Sequence, residues 1–169
     1  MGTETAAIRT EGLTKFYGEA RGIVDVDLEV RAGEIFGFLG PNGSGKSTTI
    51  RILLDLIRPT SGKASVMGLD AQAETVRVRQ AVGYLPGEAS FYDELKGNAF
   101  LDLVARVGNR KAPRRAELLE RLELDASRKI ARYSRGMKQK LAVAAALQHD
   151  PALLILDEPT SGLDPLVQQ

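Results

Sequence analysis

The sequence predicts an α/β fold with three parts: a core built on a parallel sheet, an N-terminal antiparallel β part and an inserted α-helical part. Residues 23–30, IVDVDLEV, alternate apolar and acidic side chains, which is typical of a half-buried antiparallel strand. Residues 34–40 and 152–158 are nearly continuous apolar runs, which are typical of strands covered on both faces. Residues 94–124 carry apolar side chains at helical spacing.

Further segments complete each of these three parts. Residues 7–16 and 63–67 can pair with the alternating strand, and residues 81–86 are expected beside the two core strands. Residues 46–57 repeat apolar side chains every three or four positions, which predicts a helix that ends at RPTSG. The helical part is broken at GNRKAP, and its charged run RKAPRR is predicted to be a solvated connection. The expected boundaries are 1–33 and 60–72 for the antiparallel part, 34–58 and 150–169 for the core, and 86–148 for the helical part.

Composition excludes several classes of function. The chain of 169 residues has 23 Lys and Arg against 22 Asp and Glu, which argues against a broad nucleic-acid-binding face or a polybasic membrane anchor. It has no cysteine, so thiolate metal sites are excluded, and its single histidine, His149, cannot form a histidine cluster. His149 is predicted to end a helix rather than to act as a catalytic base. No apolar run approaches the ~18 residues that cross a bilayer, so any membrane-spanning part must belong to another chain.

The sequence GPNGSGKST fits the pattern G-x4-G-K-S/T, directly after a predicted strand and directly before a predicted helix. Its residues are Gly40, Pro41, Asn42, Gly43, Ser44, Gly45, Lys46, Ser47 and Thr48. Glycines permit left-handed backbone, so main-chain N–H groups can converge on phosphates at the positive end of a helix. The pattern predicts that Lys46 reaches the β- and γ-phosphates and that the Ser47 hydroxyl binds Mg²⁺. The alternative is an ordinary glycine-rich turn with a surface lysine.

Two carboxylates, Asp157 and Glu158, follow the second apolar core strand. The carboxyl ends of parallel strands lie at one sheet edge, so these side chains are expected at the edge that holds the phosphate loop. Asp157 is then predicted to hold Mg²⁺, and Glu158 to orient and polarise an attacking water. Alone, such a pair is more typical of a helix cap or a solvated turn. Tyr17 can stack on a purine, although a lone tyrosine is more often a core or edge-strand residue.

The sequence YSRGM, residues 133–137, opens a second predicted helix. The buried stripe of this helix comprises Met137, Leu141, Ala144, Ala145 and Leu147. Ser134 and Gly136 therefore offer a hydroxyl and main-chain amides to an anion at the helix N-terminus. Considered alone, Ser134 is better explained as an ordinary N-cap.

Taken together, these motifs resemble the nucleotide-binding domain of ATP-binding cassette (ABC) transporters over nearly the whole chain, which implies a P-loop NTPase core. GPNGSGKST is similar to the Walker A motif, LLILDEP to the Walker B motif with Glu158 as the catalytic carboxylate, and Tyr17 to the adenine-stacking aromatic residue. SGLD, which comprises Ser161, Gly162, Leu163 and Asp164, resembles the D-loop. YSRGM occupies the place of the LSGGQ signature, in which Ser134, Arg135, Gly136 and Met137 take the last four positions. The form YSRGMKQK resembles bacterial exporter-type members.

The resemblance implies a cytoplasmic ATPase subunit that uses ATP and Mg²⁺ and lies at the inner face of the cell membrane through a transmembrane permease subunit. Two nucleotide-binding domains, expected to be a homodimer, would pair head to tail, so that the signature helix of one reaches the γ-phosphate held by the other. Hydrolysis in this pair would power transport, and no nucleic-acid partner is expected. Two alternatives are a soluble ABC ATPase that acts on ribosomes or DNA, and an inactive fragment that only binds nucleotide.

The sequence departs from the family pattern in three places. Gly87 and Glu88 follow VGYLP where the family usually has a glutamine, and Arg135 and Met137 replace Gly and Gln in the signature. The sequence also ends at Gln169, before the strand that carries the family's switch histidine, so a fragment or a truncated product is expected. These 169 residues alone are therefore predicted to bind nucleotide weakly and to hydrolyse it negligibly.

Overall fold

The computed structural model describes residues 6–158 of the chain. The chain divides into two compact units, with the division between Ala81 and Val82. The described residues contain an antiparallel sheet, a parallel pair of strands and five α-helices, which confirms the predicted α/β class. None of the helices among residues 6–158 is long and apolar enough to cross a membrane.

The first unit is built on a four-stranded antiparallel sheet with the strand order β2-β1-β3-β4. Its strands are β1 Ala6–Tyr17, β2 Ala20–Arg31, β3 Ser61–Val66 and β4 Leu69–Asp70. The predicted pairing of residues 7–16 with the alternating strand β2 is confirmed. The predicted pairing of residues 63–67 with that strand is wrong, because β3 pairs with β1, which lies between β2 and β3 in the sheet. The alternation in β2 has the expected effect in part, because Val30 is buried and Asp27 and Glu29 are exposed, whereas Val24 is exposed as well.

Two helices accompany this sheet, α1 Lys46–Leu53 and α2 Thr75–Ala81. The helix α1 ends four residues before its predicted end, because Asp55 adopts a left-handed backbone with φ of 50°. Arg79 from α2 fastens this end, since its guanidinium donates to Leu54 O at 2.9 Å and to Asp55 O at 2.8 Å. These contacts give hydrogen-bond donors to the two carbonyls that directly follow α1.

The predicted core strand at residues 34–40 is wrong for the described structure, which has no strand between β2 and α1. Ile35 is 103% exposed and Leu39 is 90% exposed, and the rings of Phe36 and Phe38 contact each other with centroids 6.4 Å apart. A continuous apolar run indicates burial on two faces, but it forms a strand only where a neighbouring strand completes the hydrogen-bond ladder. In the described first unit, no such ladder forms along this segment.

The second unit contains the parallel pair, formed by β5 Val82–Leu85 and β6 Leu153–Leu156. This confirms that residues 81–86 and 152–158 lie side by side. The helix α5, Arg135–Leu147, packs on β5, where Leu85 contacts Ala142 and Ala146. The expected burial of β6 on both faces is wrong, because Ile155 is buried whereas Leu154 and Leu156 are exposed. Among the described residues, β6 has a strand neighbour on one side only.

The helical part of this unit contains α3 Gly97–Val107, α4 Arg115–Arg121 and a 3-10 turn at Ile130–Arg132. The predicted break between the two helices is confirmed. The helix α3 and the 3-10 turn share one buried cluster with α5, and Leu119 of α4 packs against this cluster. It comprises Phe100, Leu101, Leu124, Ile130, Tyr133, Leu141 and Ala144.

The charged run RKAPRR is more than a solvated connection, which corrects the expectation for residues 110–115. Arg115 donates to Gln148 Oε1 at 2.9 Å and forms an ion pair with Asp102. Gln148 is only 1% exposed, and its amide donates to Leu101 O at 3.1 Å. The run therefore ties the end of α5 to α3, because arginine can bridge separate acceptors with its several N–H groups.

Candidate functional site

The glycine-rich loop before α1 is closed by its own lysine. Lys46 Nζ donates to Gly40 O at 2.8 Å and to Pro41 O at 3.0 Å. The Ser44 N–H donates to Pro41 O at 3.1 Å, and Gly43 has a positive φ of 82°. The turn therefore brings the ammonium group of Lys46 back over the start of the loop, where a bound anion would meet it.

Gly45 joins this loop to the sheet of the first unit. Its φ is 97°, and a Cβ at this position would lie 2.1 Å from Ile23 Cγ2 and 3.4 Å from Gly22 O. Only a residue without a side chain fits this close approach. Gly45 O also accepts from the Thr49 N–H at 2.9 Å, so the same residue begins α1. The loop is thus fixed against β2 at the point where the helix begins.

Tyr17 lies beside the same short segment of β2. A Cβ on Gly22 would be 3.0 Å from Cε2 of the tyrosine ring, so the ring covers the main chain there. Tyr17 itself is exposed, and Lys15 Nζ lies 5.4 Å from the centre of its ring. The structure therefore brings Tyr17 and the glycine loop together through Gly22 and Ile23. An exposed ring of this kind can stack on a flat base.

The electrostatics of the loop suit a polyphosphate. The first turn of α1 contains no acidic residue, and its N-terminal end carries the partial positive charge of the helix. Lys46 adds a full positive charge beside it. The residues of the loop thus fit a nucleotide phosphate chain, with the exposed Tyr17 ring available for the base.

The two carboxylates lie at the carboxyl end of β6, in the second unit. The Asp157 N–H donates to Leu85 O at 2.9 Å, which extends the ladder of the parallel pair by one residue. Glu158 has a left-handed backbone with φ of 50°. A Cβ at Gly87 would lie 3.2 Å from Asp157 O and 3.6 Å from Glu158 Cβ, so the chain after β5 passes close to both.

The predicted metal ligands are oxygen donors, a hydroxyl from Ser47 and a carboxylate from Asp157. Such hard donors fit Mg²⁺, which is usually held by one or two protein oxygens together with phosphate oxygens and water. Within residues 6–158 no group of three or more acidic or histidine side chains converges on one point. Ser47 lies in the first unit and Asp157 in the second.

Ser134 caps the helix α5, as the sequence indicates. Its Oγ accepts from the Met137 N–H at 3.2 Å, and its carbonyl accepts from the Lys138 N–H at 2.9 Å. Ser134, Arg135 and Gly136 are exposed, and no acidic residue lies in the first turn. This end of the helix is therefore accessible to an anion. The predicted D-loop, residues 161–164, lies outside the described residues.

Sequence reasoning missed the contacts of His149. The residue follows the end of α5 as predicted, but its Nε2 lies 2.9 Å from Arg110 Nη1 and 3.2 Å from Val82 O. Burial lowers the pKa of His149 below its ordinary value of 6.5, and the nearby Arg110 lowers it further, against weaker opposing effects of Val82 O and Asp150. The pKa of Arg110 is lowered by burial as well. His149 is thus favoured as a neutral contact of β5.

The fold and these motifs define a class of protein. A glycine loop closed by a lysine before a helix, with an acidic pair after a parallel strand elsewhere in the chain, is the arrangement of a P-loop NTPase. The chain belongs to the ABC transporter family, which residues 23–161 match.

Curated relatives share this sequence over most of its length. The daunorubicin resistance ATP-binding protein DrrA3 of Streptomyces coeruleorubidus is 45% identical over 165 residues, which are 94% of this chain and 52% of that protein. The bacitracin transport ATP-binding protein BcrA of Bacillus licheniformis is 41% identical over 162 residues, 94% of this chain and 53% of that protein. The chain therefore spans about half the length of the curated relatives it matches.

Solved structures show the same fold. An ATP-binding subunit of an ABC transporter has a TM-score of 0.83 and 33% identity, over 96% of this chain and 70% of that one. The dimeric bacterial ABC transporter cassette MJ0796 also has a TM-score of 0.83, with 28% identity over 95% of this chain and 78% of that one. A second structure of that cassette is a post-hydrolysis dimer bound to ADP and phosphate. These similarities assign the chain to the fold of ABC transporter ATP-binding subunits.

Proposed function

We propose that this chain belongs to an ATP-binding subunit that binds and hydrolyses ATP to power export by a separate transmembrane subunit. The observation that carries this proposal is the loop from Gly40 to Lys46, which is closed by the lysine and fixed against β2 by Gly45. The relatives named for daunorubicin resistance and bacitracin transport favour an exporter over an ATPase of ribosomes or DNA. The subunit would then lie at the inner face of the cell membrane, held there by its permease.

ATP binding is assigned to the first unit. The main chain of the loop and Lys46 would hold the phosphates, and the Tyr17 ring would stack on the adenine. Lys46 already contacts Gly40 O and Pro41 O, so a bound phosphate would replace two carbonyl acceptors with a charged one. The Lys46 ammonium group is attracted more strongly to an anionic phosphate oxygen than to a neutral carbonyl oxygen, which favours this exchange. The neighbouring loop residues Pro41, Asn42, Ser44 and Thr48 complete the proposed site.

Hydrolysis is assigned to the loop together with the acidic pair of the second unit. In this proposal Ser47 and Asp157 are the protein ligands of Mg²⁺. When bound, Mg²⁺ supplies positive charge to the phosphate oxygens. The Glu158 carboxylate accepts a hydrogen bond from the attacking water and so directs its lone pair at the γ-phosphorus. Lys46 stabilises the charge on the phosphoryl oxygens.

A second copy of the chain would complete each site. The exposed N-terminal end of α5, with Ser134, Arg135, Gly136 and Met137, would meet the γ-phosphate held by the loop of the partner. ATP held between two copies favours the paired state, because it contacts both only there. A dimeric family cassette of the same fold supports this arrangement.

The substitution Glu158→Gln in the complete protein tests the assignment of the hydrolytic residue. The amide cannot take up a proton from water, so ATP should still bind while turnover falls by a factor of about a hundred or more. The trapped ATP should also stabilise the dimer, which size-exclusion chromatography with ATP would detect. The matched control is Glu120→Gln on the exposed surface of α4, which should leave turnover unchanged. Turnover of Glu158→Gln at the rate of the unmodified protein would refute the role of Glu158.

A further inference from the structure

The segment between β5 and α3, residues 86–96, connects the acidic pair to the signature helix within the second unit. At its beginning, Gly87 passes close to Asp157 and Glu158. At its end, it leads into α3 at Gly97. We call these residues the connecting segment. Residues within the connecting segment, as well as its two ends, contact neighbouring elements of the second unit.

Apolar and main-chain contacts hold the connecting segment on the elements around α5. Phe91 packs against the clusters that contain Leu85 and Leu141, and its ring lies 5.2 Å from that of Phe100. Leu95 O accepts from the Ile130 N–H, and Asp93 O accepts from the Ala131 N–H, both at 2.9 Å. The segment is therefore bonded to the 3-10 turn that leads directly into the cap of α5.

One ion pair joins this segment to the first turns of the signature helix itself. Lys138 Nζ lies 2.8 Å from Asp93 Oδ1. Lys138 is the fourth residue of α5, and its N–H donates to the carbonyl of the cap residue Ser134. A positive side chain near a helix N-terminus is disfavoured by the helix dipole, whereas a negative one is favoured. Asp93 supplies that negative charge from outside the helix.

We propose that Asp93 is a positioning residue that acts through Lys138 to hold the N-terminal end of α5 in register with the Asp157–Glu158 end of the parallel pair. The inference rests on the proposed function, in which that helix end meets the partner's ATP. Without the carboxylate, Lys138 carries an uncompensated charge close to Ser134, and the helix end loses its only described side-chain ion pair to the connecting segment.

The substitutions Asp93→Asn, Asp93→Glu, Lys138→Met and the double change Asp93→Asn with Lys138→Met test this role in the complete protein. The matched control is Glu94→Gln, because Glu94 lies in the same segment and forms its ion pair with Lys129, a residue outside α5, at 3.0 Å. Three quantities are measured: kcat for ATP hydrolysis, ATP affinity of the dilute protein, and ATP-driven dimerisation. The last is measured in a Glu158→Gln background, where ATP is retained.

Asp93→Asn should lower kcat about three- to fivefold, as expected for loss of one exposed ion pair, and should weaken dimerisation without changing ATP affinity. Asp93→Glu should retain activity. The double variant should be no slower than Lys138→Met alone, since the charge that needs compensation is gone. Glu94→Gln should match the unmodified protein.

Equal kcat for Asp93→Asn and Glu94→Gln, additive losses in the double variant, or a loss of ATP affinity would overturn the positioning role. The unmodified protein separates this failure from the larger one. If the unmodified protein hydrolyses ATP and dimerises, and Asp93→Asn changes neither property, only the positioning role of Asp93 is refuted. If the unmodified protein does neither, the proposed function falls as well.

Discussion

The substitution Gly45→Ala tests whether the loop is fixed against the sheet. Two costs can be worked out from the structure. The left-handed φ of 97° disfavours any residue with a Cβ, by about 1–2 kcal/mol. The new methyl group would also lie 2.1 Å from the buried Ile23 Cγ2, and relief of such an overlap typically costs ~1–3 kcal/mol. Together these two costs predict that Gly45→Ala lowers the free energy of unfolding by about 2–5 kcal/mol.

Gly43→Ala is the matched control for this experiment. Gly43 also has a positive φ, 82°, but a Cβ there would meet nothing within 4 Å. Gly43→Ala should therefore lower the free energy of unfolding only by the cost of the left-handed backbone, about 1–2 kcal/mol. Urea denaturation of the complete protein, followed by circular dichroism, measures the difference between the two variants. Ile23 is buried, so Ile23→Ala lowers stability by itself, but it should cost less in the Gly45→Ala background than alone, because it removes the methyl group that is overlapped.

Equal midpoints for Gly45→Ala and Gly43→Ala would refute this account of the loop. The same conclusion would follow if the stability losses of Ile23→Ala and Gly45→Ala simply added in the double variant. In either case, the contact between the loop and β2 would not contribute to stability.

Three further outcomes are expected. Ser134→Ala removes the side-chain acceptor of the Met137 N–H and should lower stability by about 1 kcal/mol, which thermal denaturation of the complete protein would show. Because the folded pKa of His149 is below 6.5, its neutral form contributes stability above that pH, and this contribution should be lost as the pH falls through the lower folded pKa. Urea midpoints between pH 7.5 and 5 should therefore decline less for His149→Gln. Gly83→Ala would place a Cβ 2.5 Å from Ala146 O and should cost ~1–3 kcal/mol by urea denaturation.

Each of these three expectations can fail on its own. Ser134→Ala with unchanged stability would show that the hydrogen bond to Met137 is not a functioning cap. Parallel pH profiles for His149→Gln and the unmodified protein would remove His149 as a source of acid sensitivity. A neutral Gly83→Ala would contradict the close packing of β5 against α5.

The parts of the fold that depend only on residues close together in the sequence could be predicted from it. The strand β2 and the cap of α5 depend on alternation and on one serine, so local chemistry is sufficient for them. The helix α2 is not predicted from the sequence because it is only seven residues long. In addition, its Val76 and Val78 are two positions apart, which is the apolar spacing typical of a strand. Residues 34–40 were misassigned because two-sided burial depends on neighbouring strands, which a local pattern does not contain.

The same division applies to the candidate site. The glycine loop and the acidic pair are visible in the sequence because their spacing is local. Gly22 and Ile23, which support both Tyr17 and Gly45, give no such signal, because their role arises from the approach of three separate segments. The arginines of RKAPRR look solvated in the sequence. Their bonds to Gln148 and Asp102 depend on the packing of α3 and α5.

The central claim is that the loop from Gly40 to Thr48 grips a triphosphate with the help of Lys46. Isothermal titration of the complete protein with ATP and Mg²⁺ tests it most directly, alongside Lys46→Ala and the exposed control Lys63→Ala. The unmodified protein should show saturable ATP binding, which Lys46→Ala should weaken about tenfold or more and Lys63→Ala should leave unchanged. No binding by the unmodified protein, or equal binding after Lys46→Ala, would contradict it.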